Sequence, residues 1–148
     1  MNSKPRIAIL AISPDGQTIA LQIASQLPDV KLYTTHGEEP SEAFTLLPSL
    51  AEGAKSLFAE SDVLLFVSAM GICVRNIAPL LRDKYHDPAI LCVDTTGRYV
   101  ISVASGHIGG ANEWTERIAH ILGAEPVITT QSDRQGLWAL DTLGAESG

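Results

Sequence analysis

The sequence has no long apolar run. None approaches the roughly 20 residues that a helix needs to cross a bilayer, so nothing in the 148 residues reads as a membrane span. The first apolar stretch, Ile7-Ala8-Ile9-Leu10-Ala11-Ile12, is too short for a secretory signal, and no small-residue cleavage site follows it. It reads as a buried strand. Positive charge is scarce, with 10 Lys and Arg against 17 Asp and Glu and a formal net charge of −7. That balance argues against nucleic acid and against anionic membrane surfaces as partners. Cysteine is scarce too. Cys73 and Cys92 lie in unlike contexts without metal-ligand spacing, which reads as reduced thiols in a cytoplasmic protein, with no metal site. The phosphate-binding signatures G-x-G-x-x-G and G-x-x-x-x-G-K-[ST] are missing, so a generic nucleotide-binding domain is disfavoured. There is no internal repeat, low-complexity tract or domain linker.

What is present suits one compact domain: 45% of residues are hydrophobic and 18% charged. The acidity is uneven. Residues 1–66 carry 4 basic and 8 acidic side chains, and residues 113–148 carry 2 and 6. Residues 67–112 carry 4 basic (Arg75, Arg82, Lys84, Arg98) and 3 acidic (Asp83, Asp87, Asp94). The middle stretch therefore suits an anionic ligand best.

Strand patterns cover 7–12, 30–34, 62–67, 89–93, 98–104 and 125–129. Helical patterns lie between them. Ala20, Ile23, Ala24 and Leu27 form one apolar stripe, stopped by Pro28. Leu50, Ala54, Leu57 and Phe58 form a second, with Ser49 and Glu52 as a capping box. Val74, Ile77, Ala78 and Leu81 form a third, which Pro79 should split. Trp114, Ile118, Ile121 and Leu122 form a fourth, on which Glu113 and Arg117 are spaced for an ion pair. Residues 35–48 read as loop or a short irregular helix. Alternating strands and helices predict a three-layer, doubly wound α/β domain with a mostly parallel sheet. Only Asp94-Thr95-Thr96-Gly97 separates two of the strands, so that pair should be an antiparallel hairpin.

In such sheets ligands bind beyond the carboxyl ends of the strands. Four small, polar segments are expected there, in one shared cleft: Ser13-Pro14-Asp15-Gly16, Ser68-Ala69-Met70-Gly71, Ser105-Gly106-His107-Ile108-Gly109-Gly110-Ala111-Asn112, and Thr129-Thr130-Gln131-Ser132-Asp133. The third is the most informative. It joins a strand to a helix, holds three glycines that let backbone N–H groups approach a ligand, and contains a histidine.

That eight-residue string, followed by Ile118-Ala119-His120-Ile121-Leu122-Gly123-Ala124-Glu125-Pro126-Val127-Ile128-Thr129-Thr130, closely resembles the N-terminal domain of the CbiG family, the cobalt-precorrin-5A hydrolases of anaerobic cobalamin synthesis. Met70-Gly71-Ile72-Cys73-Val74-Arg75, Ile77-Ala78-Pro79-Leu80-Leu81, Lys84, Asp87-Pro88-Ala89 and Val93-Asp94 match as well. The likeness is dense from 63 to 133 and loose in 1–60. Trp114-Thr115 and Gln131-Ser132 depart from it. The resemblance implies a cobalt corrinoid substrate with acetate and propionate arms. It implies opening of a δ-lactone and release of acetaldehyde, with no added cofactor because the cobalt arrives inside the substrate. Family members carry a second, C-terminal domain, which implies a partner domain or chain for this one. The alternative is a non-catalytic corrinoid-binding module acting with that partner.

His107 is the leading acid–base candidate, since an imidazole can give or take a proton near neutrality. Ser105 lacks a nucleophile-elbow context and reads as a hydroxyl donor to a carboxylate or oxyanion. Asp133 could position water. Arg75 carries a fork suited to a carboxylate. Gly71, Gly106, Gly109, Gly110, Asn112 and Thr130 complete the substrate-binding set. Asn112 also suits a helix N-cap. Trp114 reads as core rather than as a stacking platform.

Overall fold

The computed structural model describes residues 4–35, 37, 42–106 and 108–129. Its frame is a seven-stranded sheet in the order β3-β2-β1-β4-β5-β6-β7. The strands are β1 (Ile7–Ala11), β2 (Lys31–Thr34), β3 (Phe44–Leu46), β4 (Val63–Val67), β5 (Ala89–Val93), β6 (Tyr99–Ala104) and β7 (Glu125–Val127). All neighbouring strands pair in parallel except β5 and β6. The doubly wound, mostly parallel sheet with one hairpin is therefore as the sequence predicts. Among the described residues no helix is long and apolar enough to cross a membrane.

The three central strands β1, β4 and β5 are buried along their whole length. Such strands need apolar residues on both faces, which is why they read as unbroken runs rather than alternations. Their odd and even positions feed two cores. Ile7, Ile9, Leu65, Val67, Leu91 and Val93 face helices α1 (Pro14–Gln26) and α4 (Ala111–Leu122). Ala8, Leu10, Leu64, Phe66, Ile90 and Cys92 face helices α2 (Leu50–Glu60) and α3 (Met70–Ile77). Each fully buried Leu, Ile, Val or Phe contributes about 1.5–3 kcal/mol. Exposed ion pairs such as Lys4–Asp29, at 2.9 Å, contribute about 0–1 kcal/mol. The cores, not the surface charges, hold the fold.

Local signals set the helix ends. Ser13 caps α1, its Oγ accepting the Gly16 N–H at 3.0 Å. Ser49 does the same for α2, accepting the Glu52 N–H at 3.2 Å. Pro79 splits the third helix as expected: α3 stops at Ile77 and a 3₁₀ turn covers Ala78–Leu80. Four expectations need correction. The stretch 35–48 contains β3, paired with β2 through Phe44 and Leu32. Asn112 is not the cap of α4; Gly110 is, at φ 85°. Arg117 does not pair with Glu113 but lies over the Trp114 ring, 4.1 Å from its centroid. Cys73 and Cys92 share one environment, buried in the same core, where the Cys92 thiol donates to the Ser68 carbonyl at 3.4 Å. The neighbouring Cys92 thiol and burial together push the Cys73 thiol above its ordinary pKa.

The hairpin at 94–97 is built around one carboxylate. Asp94 Oδ1 accepts the N–H groups of Arg98 (2.9 Å) and Tyr99 (2.8 Å). Oδ2 accepts the Thr96 N–H and hydroxyl. Gly97 sits at φ 72°, a conformation that side chains resist. Burial alone would raise the Asp94 pKa, but the Thr96 hydroxyl and the N–H groups of Tyr99, Thr96 and Arg98 outweigh it and hold it below the ordinary value. A carboxyl lowered in the folded state stabilises the fold above its unfolded pKa, and that contribution is lost as pH falls through the folded value. Asp94→Asn should therefore flatten the acid side of the stability profile in urea titrations run from neutral pH downward. Asp94→Ala should cost about 1 kcal/mol at neutral pH, the low end for bonds to a partly solvated charge. An unchanged acid limb in Asp94→Asn would show that the hairpin does not depend on this carboxylate.

Candidate functional site

The hairpin decides where the functional loops lie. Strands β1 and β4 deliver Ser13-Pro14-Asp15-Gly16 and Ser68-Ala69-Met70-Gly71 to one end of the sheet, beside the hairpin itself. Strand β6 runs the other way, with Ala104 paired to Ile90 near the start of β5. The glycine loop after β6 therefore opens at the opposite end. Strand β7 is parallel to β6 and brings Thr129 to that same end. A five-residue strand separates the two ends by roughly 17 Å. Among the described residues the segments do not share the one cleft expected: those after β1 and β4 lie at one end of the sheet, and the glycine loop and Thr129 at the other.

The glycine loop is closed on itself. Ser105 leaves β6 at φ 60°, left-handed and strained for a residue with a side chain. Its carbonyl accepts the Ala111 N–H at 3.1 Å, and the Gly106 carbonyl accepts the Asn112 N–H at 3.0 Å. Two of the donors at the start of α4 are thus taken by the loop and are not offered to a ligand. The N–H groups of Gly109 and Gly110 have no hydrogen-bond partner among the described residues. Gly109 is required for close approach. A Cβ there would lie 2.6 Å from Ser105 Cβ and 2.8 Å from Ser105 O. Asn112 ties the helix to the sheet, its Oδ1 accepting the buried Ser102 hydroxyl at 2.7 Å. The indole of Trp114 lies against Gly110, 3.7 Å from where a Cβ would stand.

The structure therefore gathers Ser105, Gly106, Gly109, Gly110 and Asn112 in one loop. It places Gly71 and Arg75 apart from them. Both are exposed on α3, on the other face of the sheet from α4. His107, Thr130 and Asp133 lie outside the described residues.

Two grooves open at the loop's end of the sheet. The larger, about 360 Å³, lies beside the C-terminus of α2 and is lined by Lys4, Arg6, Lys31, Tyr33 and Glu60 among others. Its cations are largely engaged: Lys4 with Asp29, and Arg6 with Asp62 at 3.4 Å. Burial, and then the Glu60 carboxylate, raise the Tyr33 pKa in that groove. The smaller, about 190 Å³, lies between the C-terminus of α1 and α4. It is lined by Lys4, Leu27, Pro28, Trp114 and Arg117 among others, and through Trp114 it adjoins the glycine loop. Sequence reading missed this groove because its walls are about 85 to 110 residues apart in the chain. The spacing of Trp114 and Arg117 on one helical face was the available signal.

The pattern of the family described as cobalamin synthesis G N-terminal matches residues 52–133. That is more than half of the chain, and the chain belongs to this family. It is 40% identical, over 93% of its length, to a cobalt-precorrin-5A hydrolase of Salmonella typhimurium. It is 48% identical, over 95% of its length, to one of Priestia megaterium. The match covers 39% of each relative, so the chain spans about two fifths of their length. The crystal structure of a cobalamin biosynthesis protein G homolog from Sulfolobus solfataricus aligns with a TM-score of 0.64 at 28% identity, covering 84% of this chain and 36% of that one.

Gly109→Ala tests the closed loop. The added methyl group must displace Ser105, which the left-handed backbone already constrains. The expected loss is about 1–3 kcal/mol of stability, the scale of overpacking, read as a lower midpoint in thermal unfolding. A midpoint equal to that of the parent protein would mean that the loop is not packed against Ser105.

Proposed function

We propose that the chain supplies the corrinoid-binding and proton-transfer part of a cobalt-precorrin-5A hydrolase in the cytoplasm. It opens the δ-lactone of the substrate with release of acetaldehyde. The observation that carries this reading is the self-closed loop Ser105-Gly106-His107-Ile108-Gly109-Gly110 at the start of α4, within the part of the chain that the family pattern matches. Likeness to named hydrolases over most of the chain supports the substrate class.

In this reading water adds to the lactone carbonyl and the ring C–O bond breaks, giving a carboxylate and a hydroxyl on the two-carbon bridge. Loss of the hydroxyl proton with cleavage of the adjoining C–C bond releases acetaldehyde. The electron pair stays on the macrocycle, which takes up a proton. His107 serves these proton transfers, since an imidazole can both give and take a proton. The Ser105 hydroxyl and the unpartnered N–H groups of Gly109 and Gly110 suit an oxyanion or a carboxylate arm. Asp133 positions water, and Gly106, Asn112 and Thr130 border the bound group. Gly71 and Arg75, on α3, would serve a separate contact with the substrate or with a partner domain. No organic cofactor is needed, because the cobalt belongs to the substrate.

A second reading has its own support. The relatives are longer than this chain by the share given above. The chain could be the binding module, with chemistry completed by the remaining domain or by a partner chain. An anaerobic assay for acetaldehyde from cobalt-precorrin-5A, with and without the remaining domain of a relative, separates the two. Turnover by the hydrolase should fall about 10²–10⁴-fold in His107→Gln, the scale of a lost general acid or base, with corrinoid affinity little changed. Surviving turnover with collapsed binding would make His107 a positioning residue. No turnover even with the remaining domain supplied would leave only the binding module.

A further inference from the structure

We infer that Arg117 is a carboxylate-binding residue, presenting its guanidinium from the groove beside Trp114 to a peripheral carboxylate of the macrocycle held at the glycine loop. This rests on the corrinoid reading above and assigns it a contact that the loop alone does not provide.

Four observations converge on Arg117. Its guanidinium carbon lies 4.1 Å from the centroid of the Trp114 ring, well inside the roughly 6 Å reach of a cation–π contact. It makes no ion pair among the described residues, whereas Lys4, the other cation of its groove, is held by Asp29. It lines a groove of about 190 Å³. The indole that holds it stands beside the loop, 3.7 Å from where a Cβ on Gly110 would be.

The geometry of the stack matters. An indole covers one face of a guanidinium, but the N–H groups of a guanidinium point outward in its plane. Stacking on Trp114 therefore leaves the two-pronged edge available for a carboxylate. It also restricts a long side chain that would otherwise lose rotamer freedom on binding. Asp29 lines the same groove but is engaged by Lys4 at 2.9 Å, and Glu113, four residues before Arg117, makes no ion pair with it. Arg75 has no such support: it is exposed on the outer side of α3.

The test compares two cobalt corrinoids with the full chain: cobyrinic acid, whose arms are free carboxylates, and cobinamide, whose arms are amides. Affinities are read by equilibrium dialysis at low salt. In Arg117→Ala the affinity for cobyrinic acid should fall about tenfold or more, the scale of a lost charge-assisted pair, while the affinity for cobinamide stays as it was. Arg117→Lys keeps the charge but not the planar fork, and should recover only part of the loss. The gap between Arg117→Ala and the parent protein should narrow at high salt. The side chain is exposed, so the variants should fold, which thermal unfolding verifies. Equal cobyrinic acid affinity in the parent and in Arg117→Ala would overturn the inference and leave the corrinoid reading standing. An equal loss for both ligands would overturn it too, since the effect would then not be on carboxylate recognition. A parent protein that binds neither corrinoid would overturn the corrinoid reading itself and this inference with it.

Discussion

The antiparallel pairing of β5 with β6 is the constraint on which the site depends. Five residues, 94–98, are too few to carry the chain across a sheet face, so β6 must return beside β5 in the opposite direction. Everything after the turn is inverted. The loop that follows β6 opens where the parallel strands begin, and α4 climbs back along the sheet toward the hairpin. Reversing that one pair would carry the glycine loop to the crevice beside Ser13 and Ser68. Asp94, with two backbone N–H groups on Oδ1 and Thr96 on Oδ2, makes the reversal local and definite.

Inversion also explains why the loop must close on itself. A helix that follows a parallel strand can offer its first N–H groups to a ligand at the carboxyl end of the sheet. Helix α4 begins at the other end, and the chain reverses there between Ala104 and Ala111. It does so by spending the carbonyls of Ser105 and Gly106 on the N–H groups of Ala111 and Asn112. Strain at Ser105 and the absence of a side chain at Gly109 are two sides of that closure. Donors are left over in the loop itself, at Gly109 and Gly110.

Much of the fold was legible in the sequence. The central strands are unbroken apolar runs, and the hairpin follows from the length of its link. Strand β3 was not legible, because only Phe44 of its three residues is buried while Thr45 and Leu46 face outward. An edge strand of that length has no periodicity to read. Asn112 was misread because local rules favour asparagine at a cap, whereas a buried partner on the sheet, Ser102, takes its side chain instead. Cys73 and Cys92 looked unrelated because adjacency across a helix–strand contact leaves no mark on spacing. The single cleft was misread for a different reason. The hairpin was legible, but its effect on loop placement follows only when strand direction is carried forward through every later element.

Charge shows the same limit. Counted by stretches of sequence, 67–112 is the least acidic part of the chain and the natural place for an anionic ligand. In the fold that stretch is not one surface. Arg98 belongs to the hairpin end, Arg75 stands on α3, and Lys84 lies 5.5 Å from the ring centroid of exposed Tyr85 in the segment before β5. The cations that line the two grooves come from the two acidic stretches instead: Lys4, Arg6 and Lys31 from the first, Arg117 from the last. Net charge over a window averages away the distinction that matters, which is whether a cation already has a counterion. Lys4 and Arg6 have theirs. Arg117 has an aromatic face in place of one, and a cation held by a ring keeps its hydrogen-bonding edge for an anion that arrives later.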